Sequence, residues 1–178
     1  DALENVTIGG NVTTSGTLNI GQTTEATGIT NINADLDAAG NISIAGGGDV
    51  NLLGSETIDS DAAVVINSGN TLDLNGTVGG ASVDIDGDVA VNVDGALTSD
   101  GTFVDISGGT ITTTAAVTGA SSVTVTGDED VTLSTILASG GDATLTVATA
   151  TCYASKRYVR VEIKDYLGAL QAAAGLGE

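Results

Sequence analysis

The residues best placed to do chemistry are the carboxylates of Asp84-Ile85-Asp86-Gly87-Asp88. Three acids at i, i+2 and i+4 around a glycine offer the hard oxygen ligands that Ca²⁺ takes, so Asp84, Asp86 and Asp88 are candidate calcium ligands. The carboxylate expected at the twelfth position of such a loop is absent, because that position is Gly95. Ile85 also falls on an inward position of the repeat described below, which makes Asp84 and Asp86 outward residues of a strand and its corner. Asp128-Glu129-Asp130 is a second acidic turn and reads as a solvated corner.

Other chemistries are excluded or poorly supplied. The chain has no His, which removes imidazole as base, ligand or pH switch, together with Cys–His and Ser–His–Asp nucleophile sets. Gly46-Gly47-Gly48 runs into a strand pattern, without the helix and lysine of a phosphate-binding loop. Before Cys152 the only aromatic is Phe103, and there is no Lys or Arg, so a polysaccharide-cleaving site would lack its usual aromatic platform and bases. The expectation is a non-enzyme with no cofactor beyond the calcium considered above.

Asn5, Asn11, Asn41 and Asn75 each open an Asn-x-Ser/Thr triplet and are candidate glycosylation sites in a secreted chain. Stacked Asn ladders pointing inward at corners would explain some of them equally well. Thr112/Thr114, Thr124/Thr126 and Thr144/Thr146 form Thr-x-Thr pairs, a spacing that flat ice-binding faces use, although outward Thr is also an ordinary strand residue.

These side chains need a scaffold, and the sequence repeats. Apolar pairs at i, i+2 fall on three tracks. The first runs Val64/Ile66, Val83/Ile85, Val104/Ile106, Val123/Val125 and Leu145/Val147. The second runs from Ile32 through Leu52, Leu72/Leu74, Val91/Val93 and Ile111 to Val131/Leu133. The third runs Leu36, Ile58, Val78, Leu97, Val117 and Ile136. All three advance by about 20 residues, the length of a coil of three short strands and three turns. Alternation puts one side chain in and the next out. A single coil cannot bury its inward row, so coils stack in register and each strand pairs in parallel with its counterpart one period on. The fold class is therefore all-β, a parallel β-solenoid. Gly at the corners supplies positive φ, and the absence of Pro keeps every ladder donor. The step from Leu18/Ile20 to Ile42/Ile44 is longer, so residues 1–30 read as an irregular coil or docking element, with Gln22-Thr23-Thr24-Glu25 as a bulge. Residues 31–151 are the solenoid proper.

Charge divides the chain differently. Lys156, Arg157, Arg160 and Lys164 are its only bases, whereas all of its 23 acids but Glu162, Asp165 and Glu178 precede them. The acidic body repels phosphate, so nucleic acid and anionic membranes are not expected partners. No apolar run is long enough to span a bilayer, so membrane insertion is not expected either. Ser155–Lys164 alternates as an amphipathic strand, followed by a short helix from Tyr166 to Leu176 that Asp165 caps. This segment, 152–178, either caps its own solenoid or docks on the open first coil of another copy by strand addition. The candidate interface is Lys156, Arg157, Tyr158, Val159, Arg160, Val161, Ile163, Lys164, Leu167 and Leu170. No charged amphipathic helix precedes Val6-Thr7-Ile8 to cap the other end, and Cys152 reads as a buried thiol or an inter-chain bridge.

Phrases such as Gly48-Asp49-Val50-Asn51-Leu52, Gly87-Asp88-Val89-Ala90-Val91 and Ser122-Val123-Thr124-Val125-Thr126-Gly127 resemble the repeats of filamentous-haemagglutinin-type secreted adhesins. That resemblance implies a right-handed parallel β-helix in a secreted or cell-surface protein. Gly10-Asn11-Val12-Thr13 is also similar to phrases of trimeric phage tail fibres. With the basic C-terminal segment and a start at Asp1 that suggests a cleaved precursor, the expected role is a structural subunit of an extracellular filament or surface assembly. Its partners would be copies of itself. The alternative is an adhesin or phage-fibre binding module that contacts a host receptor or glycan.

Overall fold

The alternation of apolar and polar residues becomes one continuous coil. The computed structural model describes residues 5–21, 28–152 and 159–163. Among the described residues seventeen strands form a single sheet wound into a parallel β-solenoid of about seven turns. Among the described residues there is no helix. The helix expected over Tyr166–Leu176, and the bulge at Gln22–Glu25, lie outside the described residues.

The three tracks are the three faces. The second face carries β1 (Val6–Ile8), β4 (Thr30–Ile32), β7 (Val50–Leu52) and β9 (Thr71–Leu74), then the ends of β10 (Thr77–Val93), β12 (Phe103–Thr113), β14 (Ser122–Leu133) and β16 (Ala143–Cys152). The third face carries β2 (Val12–Thr14), β5 (Leu36–Ala38), the start of β8 (Thr57–Ser68), the start of β10, then β11 (Leu97–Ser99), β13 (Ala116–Gly119) and β15 (Thr135–Ala138). The first face carries β3 (Leu18–Ile20), β6 (Ile42–Gly46), the remaining parts of β8, β10, β12, β14 and β16, and finally β17 (Val159–Ile163). We number the rungs from β3 to β17 along this face. The long strands bend at the corners, where the register shifts, as between Gly80 and Ser82 or between Gly87 and Ala90.

Inward residues stack on like residues. Val83 and Ile85 pair in register with Val64 and Ile66 on one side and Val104 and Ile106 on the other. All six are 0% exposed. The same holds along the other tracks at Ile32, Leu52, Leu72, Leu36, Ile58, Val78 and Leu97. Each such side chain is worth about 1.5–3 kcal/mol in removal from water, and only the neighbouring rungs provide that burial. Small branched residues suffice because the coil is thin. Buried hydroxyls close the inner corners: Ser60 donates to the Gly40 carbonyl at 2.9 Å, and Ser99 to that of Ala81 at 2.8 Å.

One sequence expectation about local structure changes. Among the described glycines only Gly21 (φ 74°) and Gly54 (φ 72°) have positive φ. Corner glycines such as Gly95 serve a different need: a Cβ there would overlap the carbonyl oxygen of Gly76 on the rung before. Rung spacing, not left-handed backbone, selects glycine at that corner. The long first step falls in the interval that the sequence indicates. Val6 pairs with Thr30, Val12 with Leu36 and Leu18 with Ile42, so all three strands keep one offset. The extra residues therefore lie between β3 and β4.

Candidate functional site

The parallel register decides which outward side chains meet. On the first face one column reads Asp84, Asp105, Thr124, Thr144, and the column beside it reads Asp86, Ser107, Thr126, Thr146; the backbone of β17 continues the register, with Arg160 pairing with Thr144 and Glu162 with Thr146. Asp84 and Asp86 project from one strand, as the sequence implied. Asp88 lies past the corner after Gly87, in the stretch where the register shifts. The third acid beside Asp84 and Asp86 is Asp105, from the next rung. The sequence reading missed it, although the first track already put Val83/Ile85 over Val104/Ile106 and so Asp84 over Asp105. Burial pushes the Asp84 carboxyl above its ordinary range, and the charge of Asp86 adds to the effect. Asp105 is raised by burial first and then by Asp84 and Asp86, against a lowering hydrogen bond from the Ile106 backbone. Ser107 Oγ donates to Asp86 Oδ1 at 3.0 Å. Among the described residues no three Asp, Glu or Cys side chains are grouped so as to hold a metal ion.

A body without bases satisfies its acids another way. Asn92 Nδ2 donates to Asp73 Oδ1 at 2.6 Å, Asn70 Nδ2 to Asp49 Oδ1 at 2.6 Å, and Thr114 Oγ1 to Asp94 Oδ1 at 2.6 Å. Each donor comes from one coil further along the chain. Neutral amides and hydroxyls thus do here what Lys and Arg do on most surfaces.

The Asn residues of the glycosylation triplets are exposed at outer corners, not stacked inward. Asn5 Oδ1 accepts the Ile29 amide at 2.9 Å, Asn11 Oδ1 that of Asp35 at 3.2 Å, and Asn41 Oδ1 that of Ala63 at 3.2 Å. Asp35 Oδ1 continues the pattern by accepting the Thr57 amide at 2.9 Å. These side chains stitch a corner to the next rung, where a turning backbone leaves an amide without a ladder partner. Asn75 follows β9, and its backbone amide donates to the Leu52 carbonyl at 3.0 Å. Of the Thr pairs, Thr124/Thr126 and Thr144/Thr146 share the first face, whereas Thr112 lies on the second.

The first rung is the other conspicuous feature. β1, β2 and β3 each pair on one side only among the described residues. Val6, Val12 and Leu18 donate toward the next rung, to Ile29, Asp35 and Asn41. Alternation along a strand then turns the amides of Thr7, Thr13 and Asn19 outward, away from the solenoid. Val6, Ile8, Val12 and Leu18 pack on the core yet stay only partly buried. At the far end, β17 pairs with β16 in register, Ala143 with Val159 through Val147 with Ile163. Val159, Arg160, Val161 and Ile163 thereby belong to the last rung of the first face. Lys156, Arg157, Tyr158, Lys164, Leu167 and Leu170 lie outside the described residues. No helix among the described residues is long and apolar enough to cross a membrane. No protein-family model matches the chain, and neither a curated protein nor a solved structure is significantly similar to it.

Proposed function

We propose that the protein is a structural subunit of an extracellular filament or surface assembly, joined end to end by addition of one copy's C-terminal strand to another copy's first rung. The single observation that carries this reading is the edge of β1, β2 and β3, unpaired among the described residues, with the amides of Thr7, Thr13 and Asn19 facing outward over a partly exposed apolar row. Such an edge is a template for strand addition. Charge favours a copy of the same chain, because the bases lie together at 156–164 and the body is acidic. A head-to-tail contact of this kind is heterologous and does not close, so it propagates. We take the winding as right-handed, the hand preferred by parallel crossovers and by the adhesin repeats the sequence resembles.

Negative-stain microscopy of the purified chain tests the reading: uniform unbranched fibres about one solenoid wide are expected without any partner. Thr7→Pro with Thr13→Pro removes two outward donors and no internal bond, so fibres are expected to disappear while the folded spectrum by circular dichroism remains. Fibres that persist in that variant, or wild-type particles that stay single at high concentration, would overturn the proposal.

A further inference from the structure

Asn75-Gly76 is the one Asn-Gly pair of the chain, and it forms the corner between β9 and β10. Asn75 is exposed, and its side chain has no hydrogen-bond partner among the described residues. Gly76 is buried, yet its backbone amide finds no acceptor among them either. Such an orphan is uncommon, because folded chains pair nearly all of their buried amides. The backbone on both sides is held. The Asn75 amide donates to the Leu52 carbonyl at 3.0 Å, and the Thr77 amide to that of Glu56 at 3.0 Å.

Asn5 and Asn11 differ on both counts. Their Oδ1 atoms accept the Ile29 and Asp35 amides, and the amides that follow them, of Val6 and Val12, donate to the Ile29 and Asp35 carbonyls. The branched side chains of Val6 and Val12 also crowd those nitrogens, whereas Gly76 carries none. Asn41 Oδ1 is likewise engaged, and the residue after it is Ile42 of β6.

We propose that Asn75 is a site of spontaneous deamidation in the folded chain, with the Gly76 backbone nitrogen as nucleophile. Water takes the proton of the Gly76 amide as its nitrogen attacks Asn75 Cγ. The new N–Cγ bond closes a cyclic imide, the Cγ–Nδ2 bond breaks, and ammonia leaves with a proton returned by water. A second water opens the imide at either carbonyl, to aspartate or to the isomer whose main chain runs through Cγ. Holding nucleophile and electrophile on adjacent residues, with neither spent on another bond, is what favours this corner. Either product adds a carboxylate next to Asp94. Leu74 pairs in register with Val93, so Asn75 and Asp94 follow partners, and the Asp94 amide donates to the Leu74 carbonyl at 2.9 Å. The isomer also lengthens the main chain where Gly95 packs so closely on the Gly76 carbonyl oxygen that a Cβ would overlap it. Age is thereby recorded in the solenoid as added charge and a loosened contact between rungs. The site is independent of the end-to-end joint, since none of β1, β2 and β3 takes part.

Ageing of the purified, folded chain tests this, read by peptide mass spectrometry and isoaspartate-specific methyl labelling. Conversion at Asn75 is expected about tenfold or more ahead of Asn11 and Asn41, which must first give up a hydrogen bond. It should be faster at mildly alkaline than at mildly acidic pH, because the attacking nitrogen is the deprotonated amide. Asn75→Gln should abolish the labelling without changing the Tm. The aged chain should melt lower than Asn75→Asp, which carries the charge without the longer main chain. An Asn75 that stays intact in the folded chain while a urea-unfolded sample converts, or isoaspartate that arises first at Asn11 or Asn41, would overturn the proposal.

Discussion

Asp84 lies in register over Asp105, one rung apart in a parallel ladder, on a face with no base among the described residues that flank it. Two like charges stacked at about 4.8 Å are an unfavourable arrangement that the apolar pairs on either side, Val83/Ile85 and Val104/Ile106, impose. The core sets the register, and the surface residues follow it.

The pH dependence follows from the direction of the shifts. The folded carboxyls of Asp84 and Asp105 sit above the ordinary aspartate value of 3.8. Between the unfolded and the folded value the native state binds more protons, so stability falls as pH rises through that window. The destabilisation is fully developed above the folded values and is relieved below 3.8. Asp84→Asn or Asp105→Asn is therefore expected to raise the Tm at pH 7, by about 0.2–1 kcal/mol of stability. Thermal melts at pH 7 and pH 3 check this, since the gain should vanish at the lower pH. A gain that is equal at both would show that repulsion is not its source.

Corner stitching predicts an asymmetry among four similar asparagines. Asn11 accepts the Asp35 amide and donates to Asp35 Oδ2 at 3.1 Å. Asn11→Ala is expected to cost about 0.5–1.5 kcal/mol. Urea titration should give the loss as a lower midpoint with an unchanged slope. Asn75, whose corner is held by its backbone, should tolerate Ala within roughly 0.5 kcal/mol.

Salt is expected to stabilise the chain. A net charge of −19 with all bases near one end leaves the acidic columns repelling one another, and counterions screen that repulsion. The Tm should rise steadily with NaCl. Calcium and magnesium should raise it alike at lower concentration, and chelation should remove the rise. A saturable rise selective for calcium, lost in Asp84→Asn or Asp88→Asn, would instead identify a specific site.

The core prediction is the largest. Ile106 is 0% exposed and stacks on Ile85 and Val125. Ile106→Ala leaves a hole that two rungs share, at a cost of about 2–5 kcal/mol. Val12→Ala on the first rung, where the side chain is only partly buried, should cost under about half as much. Paired chemical denaturation curves give the ratio.

The sequence alone determined the coil. Period-two alternation within a beat of about 20 residues leaves no other way to bury Val64, Ile85 or Leu97, so strand positions, parallel pairing and the three faces were readable before any coordinates. Outward partners were readable only in part. Asp105 was available from the same register yet hidden 21 positions from Asp84, because spacing within a loop draws the eye and spacing across rungs does not. What needed the tertiary structure was the corners. Whether Asn11 points in or out and whether Gly95 serves a positive φ or a close backbone depend on how turning backbones of adjacent rungs meet. Local sequence specifies each turn only weakly, since its amides and carbonyls find their partners one whole coil away.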